Sequence, residues 1–213
     1  MEILKLILGF VFAYLLGSFS SSVWIGRWFH NTDVRTQGSK NAGATNTIRV
    51  LGAKAGVVVL LLDVVKGFLA VFLGSFLITT DNPEWDTSYQ LLLGLCAVVG
   101  HIFPLYTGFK GGKGVATIVG VLIALYWFIF PFIFGVFIFV FFIWRYISLS
   151  SIASAVCFPL VYLLFCWVDK EAINISLLTF SILVAVFIPV THKKNIKRLM
   201  KHEEPKFYFK KTI

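Results

Sequence analysis

The chain has 213 residues, 58% of them hydrophobic with 23 Phe, and a formal net charge of +9; its mean hydropathy is +0.87. So apolar a composition excludes a soluble domain of this size. The basic residues flank apolar runs rather than covering a soluble face, which argues against nucleic acid and for anionic headgroups or phosphorylated metabolites.

A spanning helix needs roughly 20 apolar residues at about 1.5 Å each. In chain order the candidates are Leu6–Ile25, Val57–Ile78, Leu91–Phe103, Val115–Trp144, Ile152–Val168 and Ile175–Val190. Leu6–Gly17 with the serines after it resembles a signal peptide, but apolar sequence resumes at Val23–Ile25 and the segment is read as a span. Charge sets the topology. The first loop carries Arg27, Arg35, Lys40, Arg49 and Lys54 against Asp33 and faces inward. Thr79–Tyr89, with Asp81, Glu84 and Asp86, lies outside; Gly108–Gly114 is basic and inside. The tail, with Lys193, Lys194, Lys197, Arg198, Lys201, Lys206, Lys210 and Lys211, is also inside. Val115–Trp144 would be about 45 Å long as one helix, against a bilayer core of roughly 30 Å. Pro131 and Gly135 are expected to break it into a hairpin of two short crossings. The fold class is therefore all-α: one polytopic membrane domain over 1–213, about seven transmembrane helices, N-terminus out and C-terminus in.

Three segments carry chemistry. Gly38–Gly52 is rich in small polar residues around Arg49; glycines let backbone N–H groups converge on an anion, and arginine clamps two phosphate oxygens at once. Gly108–Thr117, with Gly111, Gly112, Lys113 and Gly114, opens directly into a helix, whose N-terminus favours phosphate. It is not a Walker A loop, because Gly114 rather than Ser or Thr follows the lysine. In the tail His192, Asn195 and Arg198 recur every third residue and share one side of a helix. A substrate-binding role and a basic anchor on anionic lipid both remain open for that segment. Asp63 and Lys66, three apart within a span, read as a structural ion pair. The cysteines (Cys96, Cys157, Cys166) lie in apolar runs and the histidines show no metal-ligand spacing, so neither a structural metal nor a disulfide framework is expected.

Taken together, Tyr14–Ser18, Asp33-Val34-Arg35, Gly38–Gly56, Asp63 with Lys66-Gly67, Gly100-His101, Phe109–Thr117, Arg145–Ser148 and the His192, Asn195, Arg198, Glu204 pattern resemble the bacterial acyl-phosphate:glycerol-3-phosphate acyltransferase family (PlsY). The resemblance covers nearly the whole chain in order. It implies a multi-pass enzyme of the bacterial cytoplasmic membrane that moves a fatty acyl group from acyl phosphate to the 1-hydroxyl of glycerol 3-phosphate. The products are lysophosphatidate and phosphate, in the first step of phospholipid synthesis. It implies no cofactor, a monomer in contact with membrane lipid, and functional coupling to an enzyme that generates acyl phosphate. Carried over by position, Ser39, Asn41, Gly43, Thr45, Asn46 and Arg49 contact substrate phosphate, and Gly111, Gly112, Lys113 and Gly114 form a second lobe. His192 and Asn195 orient the acceptor or the reacting carbonyl, while Glu204 braces the site. The resemblance also implies that the substrate's own phosphate assists removal of the hydroxyl proton. No histidine here is followed by an Asp five positions on, so the His–Asp dyad of the other glycerolipid acyltransferase class is missing.

Three departures stand out. Lys40 occupies a position where the family usually has Gly, and is strained if that position needs φ > 0. Ser20–Ser22 replace a usual Pro-Thr-Gly, and His202 stands where Gly is usual. An organic-anion or phosphate transporter is the alternative class. It would call for internal repeats and midplane polar groups, whereas the charge here gathers at one face.

Overall fold

The first apolar run does not fold as one helix. Helix α1 (Glu2–Gly17) stops at Ser18, and α2 (Ser21–His30) leaves at 42° to it. The Ser18 hydroxyl bonds back to the Tyr14 carbonyl at 2.8 Å, a local competition with the helix ladder that accompanies bends. The computed structural model describes residues 2–77 and 82–208, and the regular elements among them are all helices, with single 3-10 turns at Val34–Thr36 and Leu105–Thr107. They fall into two compact units, Met1–Trp127 and Phe128–Ile213.

In the first unit, α3 (Ala44–Leu51) and α4 (Ala53–Ser75) meet at Gly52, whose φ of 93° turns the chain between them. The Val57–Ile78 run is the body of α4; Ile78 itself lies outside the described residues. Helix α5 (Pro83–Ile102) starts well before the expected Leu91. Asn82 caps it, accepting from the Glu84 amide at 2.9 Å, Pro83 fits the first turn, and Glu84 and Asp86 complement the helix dipole. Asp81 of the acidic segment lies outside the described residues. Helix α6 (Val115–Tyr126) completes the unit. Helix α4 packs on α6 through reciprocal glycines, Gly67 against the Thr117 backbone and Gly120 against the Val64 carbonyl. Helices α1 and α5 do the same through Gly17 against Ala97 and Gly100 against Tyr14. Such close backbone approach suits helix association in lipid, where burial of apolar side chains gives little drive.

The 115–144 run breaks where sequence did not place it. The break falls at 127–129, and Pro131 sits in the first turn of α7 (Phe130–Trp144), with Gly135 inside that helix. Proline is compatible with a helix start, since the N–H it lacks would have no partner there. The second unit continues with α8 (Ile147–Asp169), α9 (Ile175–Thr191) and α10 (Lys193–Met200). Helices α8 and α9 pack side by side, with Phe158 edge-on to Phe180 at 6.4 Å between ring centroids.

Helices α4, α5 and α8 are long and apolar enough to cross a membrane, and the bent pairs α1/α2 and α9/α10 each qualify together. Helices α6 and α7, at 12 and 15 residues, are shorter apolar elements. Helix α10 bends 62° from α9; its Lys193, Lys194, Lys197 and Arg198 assign it to the water interface rather than to hydrocarbon.

Candidate active site

Both glycine loops belong to the first unit, and the fold draws them together. Gly112 lies between the His101 ring and the Ala42 carbonyl, so that a Cβ there would collide with both. A Cβ on Gly111 would collide first with the His101 carbonyl and then with the Pro104 ring and the Ile102 carbonyl. The loop folds back on the end of α5, with the Gly111 amide donating to Ile102 O at 3.0 Å and the Gly112 amide to His101 O at 3.1 Å. Gly114 then caps α6 with φ 86°, and Lys113, half-buried, immediately precedes that helix start.

In the other loop Gly43 caps α3 without any side-chain cap bond, so the first-turn amides keep their anion-binding character. Among the described residues the side chains of Asn41 and Thr45 and the Ser39 hydroxyl make no hydrogen bond. Asn46 behaves differently. Its Oδ1 accepts the Ser39 amide at 2.7 Å, and its Nδ2 donates to Val34 O at 2.7 Å and Gln37 O at 3.2 Å. Both amide hydrogens are spent on the loop, so Asn46 holds its shape and has none to offer a phosphate. Arg49 stands exposed in the last turn of α3. Lys40 has φ 59° and His202 φ 58°, so two of the three departures from the family pattern sit where glycine is conformationally at home.

Beneath these loops lies a buried charge cluster. Lys66 Nζ is 2.7 Å from Asp63 Oδ1 and also donates to the Phe19 carbonyl at 2.9 Å. The Ser21 hydroxyl donates to the same Asp63 oxygen at 2.9 Å, and His101 Nδ1 lies 3.6 Å from it. The ion pair expected from sequence is therefore present, and it also anchors α2 to α4. His101 joins the cluster to Gly112; sequence reasoning noted His101 but assigned it no part.

The tail residues belong to the second unit. Glu204 is buried, and its carboxylate accepts from the Ser148 hydroxyl at 2.7 Å, Asn195 Nδ2 at 2.6 Å and Arg198 Nε at 2.6 Å. Burial alone would raise its pKa, but these bonds outweigh it and hold the carboxyl below the usual glutamate range. Asn195 and Arg198 thus share one side of α10 as their spacing predicts, and Glu204 ties both of them to Ser148. His192, also buried, sits at the α9–α10 joint with Nδ1 2.9 Å from the Ile188 carbonyl. A carbonyl only accepts, so Nδ1 carries the proton and Nε2 of the neutral ring is the acceptor. Asp33 and Arg35 are further residues that sequence left without a role. The Arg35 side-chain bonds pull the Asp33 carboxyl far below the ordinary range against the effect of burial, and Arg35 is raised in turn.

Fold and site define the class: a multi-pass, all-helical integral membrane protein with two glycine loops drawn together over a buried ion pair. A profile of the glycerol-3-phosphate acyltransferase family matches residues 7–202. A glycerol-3-phosphate acyltransferase of Fusobacterium nucleatum subsp. nucleatum is 42% identical over 201 residues, covering 93% of this chain and 96% of that protein. One from Streptococcus thermophilus is 41% identical, with 94% and 92% covered. Among solved structures, PlsY (YgiH), an integral membrane glycerol 3-phosphate acyltransferase, in its glycerol 3-phosphate form has a TM-score of 0.81 at 36% identity, covering 95% of this chain and 96% of that one. Its lysophosphatidic acid form has a TM-score of 0.78 at 35% identity, covering 95% of each. The chain belongs to the glycerol-3-phosphate acyltransferase family. It is an acyltransferase, and the transporter alternative is set aside.

Proposed function

We propose that the chain transfers a fatty acyl group from acyl phosphate to the 1-hydroxyl of sn-glycerol 3-phosphate. The hydroxyl oxygen bonds to the acyl carbon, the bond from that carbon to the phosphate oxygen breaks, and phosphate departs with the electron pair. The hydroxyl proton passes to a phosphate oxygen of the substrates. Acyl phosphate is already an activated donor, so the protein contributes position and positive charge. Arg49 and Lys113 neutralise phosphate, while Ser39, Asn41, Thr45 and the amides at Gly43 and Gly114 hold its oxygens; Gly111 and Gly112, whose own amides bond the Ile102 and His101 carbonyls, let the second loop fold tightly onto the end of α5. Asn46 keeps the first loop in shape. His192 accepts a hydrogen bond from the acceptor substrate, and Asn195, steadied by Glu204, orients it.

The observation that carries this reading is the near full-length similarity to the glycerol 3-phosphate form of a solved relative. The unpartnered polar groups of the first loop support it. Charge supports the placement: the cationic loops and tail lie at the cytoplasmic face of the bacterial inner membrane, with Glu84 and Asp86 outside. With α6 and α7 each crossing, seven spans put the N-terminus out and the C-terminus in. We further propose a monomer that receives acyl phosphate from an enzyme generating it. Purified protein given acyl phosphate, with and without glycerol 3-phosphate, tests the chemistry. Phosphate release that depends on the acceptor, with one lysophosphatidate formed per phosphate, is expected; binding of both substrates without turnover would overturn it.

A further inference from the structure

Just before the first glycine loop, one side chain reaches across to the second. Arg35 lies in the 3-10 turn Val34–Thr36 at the entry to the first loop. Its Nε donates to Asp33 Oδ1 at 3.0 Å and its Nη2 to Asp33 Oδ2 at 2.8 Å, a planar fork on both oxygens of one carboxylate. The Arg35 amide donates to the same Oδ1 at 3.0 Å, so backbone and side chain are held by a single acid. With the guanidinium fixed in this plane, Nη1 reaches across to the second loop. It donates to the Thr107 carbonyl at 2.7 Å and to the Lys110 carbonyl at 3.2 Å.

The segment between those two carbonyls is conformationally costly. Gly108 has φ 72° and Phe109 φ 58°, and the left-handed region is unfavourable for an L-residue such as Phe109. The turn directs two carbonyl oxygens at one point, where without a donor they would repel each other. Arg35 supplies both hydrogens. Arg27 makes one bond to the same Asp33 Oδ2 at 3.0 Å; its side chain is 47% exposed against 18% for Arg35, which marks Arg35 as the inner member.

We propose that Arg35, oriented by Asp33, is a positioning residue that fixes the spacing of the two loops by clamping the Thr107–Lys110 turn. Its kinetic consequence rests on the acyl-transfer reading; its structural consequence does not. Lysine keeps the charge but has neither the planar fork nor a rigid pair of donors for two carbonyls. Displacing a reacting group by about 1 Å costs on the order of 100-fold in rate.

The test uses the full chain in lipid nanodiscs, as parent, Arg35→Lys, Arg35→Gln and Arg35→Ala. Two readouts are taken: kcat and KM for lysophosphatidate formation, and hydrogen exchange of the segment 105–114. The variants are expected to lose roughly 10- to 100-fold in kcat, with exchange of the Gly111 and Gly112 amides at least about tenfold faster. Millimolar guanidinium is expected to restore several-fold of the kcat of Arg35→Ala, which a general loss of stability would not allow. Turnover of folded Arg35→Lys within twofold of the parent, or unchanged exchange in the segment, overturns the clamp. Should Arg35→Gln fail to fold, Arg35→Lys decides by the same two readouts. A parent that forms no lysophosphatidate refutes the acyl-transfer reading instead, and the exchange comparison still decides the clamp.

Discussion

Replacing Lys40 by glycine should stabilise the protein, although it removes a large side chain and adds no contact. Lys40 holds φ 59° in the first loop and its side chain is exposed. The left-handed conformation costs an L-residue about 1–2 kcal/mol. Glycine adopts it freely but loses about 0.5–1 kcal/mol more entropy on folding, so the net gain is about 0.5–1 kcal/mol. For a protein of this size that corresponds to roughly 1–4 °C in Tm. The decisive comparison is with Lys40→Ala, which removes the same charge but keeps the Cβ that creates the strain. Thermal unfolding of the three proteins in one detergent should rank Lys40→Gly above both, with Lys40→Ala close to the parent. Equal gains for alanine and glycine would show that relief of charge repulsion is responsible, and would refute the backbone argument.

The same comparison at His202, with φ 58°, should favour His202→Gly over His202→Ala by a similar margin of about 0.5–1 kcal/mol. Lys113→Ala should lose on the order of 100-fold or more in kcat/KM while its unfolding transition stays near that of the parent; near-normal turnover of the folded variant would exclude the phosphate role. Breaking the buried pair by Asp63→Asn alone is expected to cost about 3–5 kcal/mol, more than Asp63→Asn combined with Lys66→Met, because only the single variant strands a charge; chemical unfolding of the set measures the difference. Glu204 has a lowered folded pKa, so its contribution is complete above the ordinary glutamate value and disappears as pH falls through the folded one. Stability of the parent should therefore decline below about pH 4.5 more steeply than that of Glu204→Gln, read as Tm against pH.

Much of the site could be read from residue types alone. Glycines beside cations marked the two loops, and the spacing of Asp63 and Lys66 marked an ion pair. The departure at Lys40 is legible in the sequence, because a usual glycine signals a left-handed position. Hydropathy failed where local chemistry overrode it. The serines after Gly17 split an apolar run that looks continuous, and Glu84 and Asp86 concealed the first turns of α5 from any apolar window. The Asn82-Pro83-Glu84 start signal was nevertheless present. Pro131 was expected to break a helix and instead begins one, since a first-turn proline gives up no ladder bond. The Arg35 clamp could not be read at all: its acceptors are backbone carbonyls 72 and 75 residues away, and carbonyls leave no mark in a sequence. Asn46 was similarly read as a phosphate ligand because its partners, Val34 O and Gln37 O, are also main chain.

The account depends on the two glycine loops and α10 facing the same aqueous compartment. Gln37→Cys, Lys110→Cys and Lys194→Cys place a thiol at an exposed position in each, and a membrane-impermeant thiol reagent applied to intact spheroplasts reads their side. All three should stay unlabelled until the membrane is permeabilised and then react fully. Labelling of any one from outside would contradict the account.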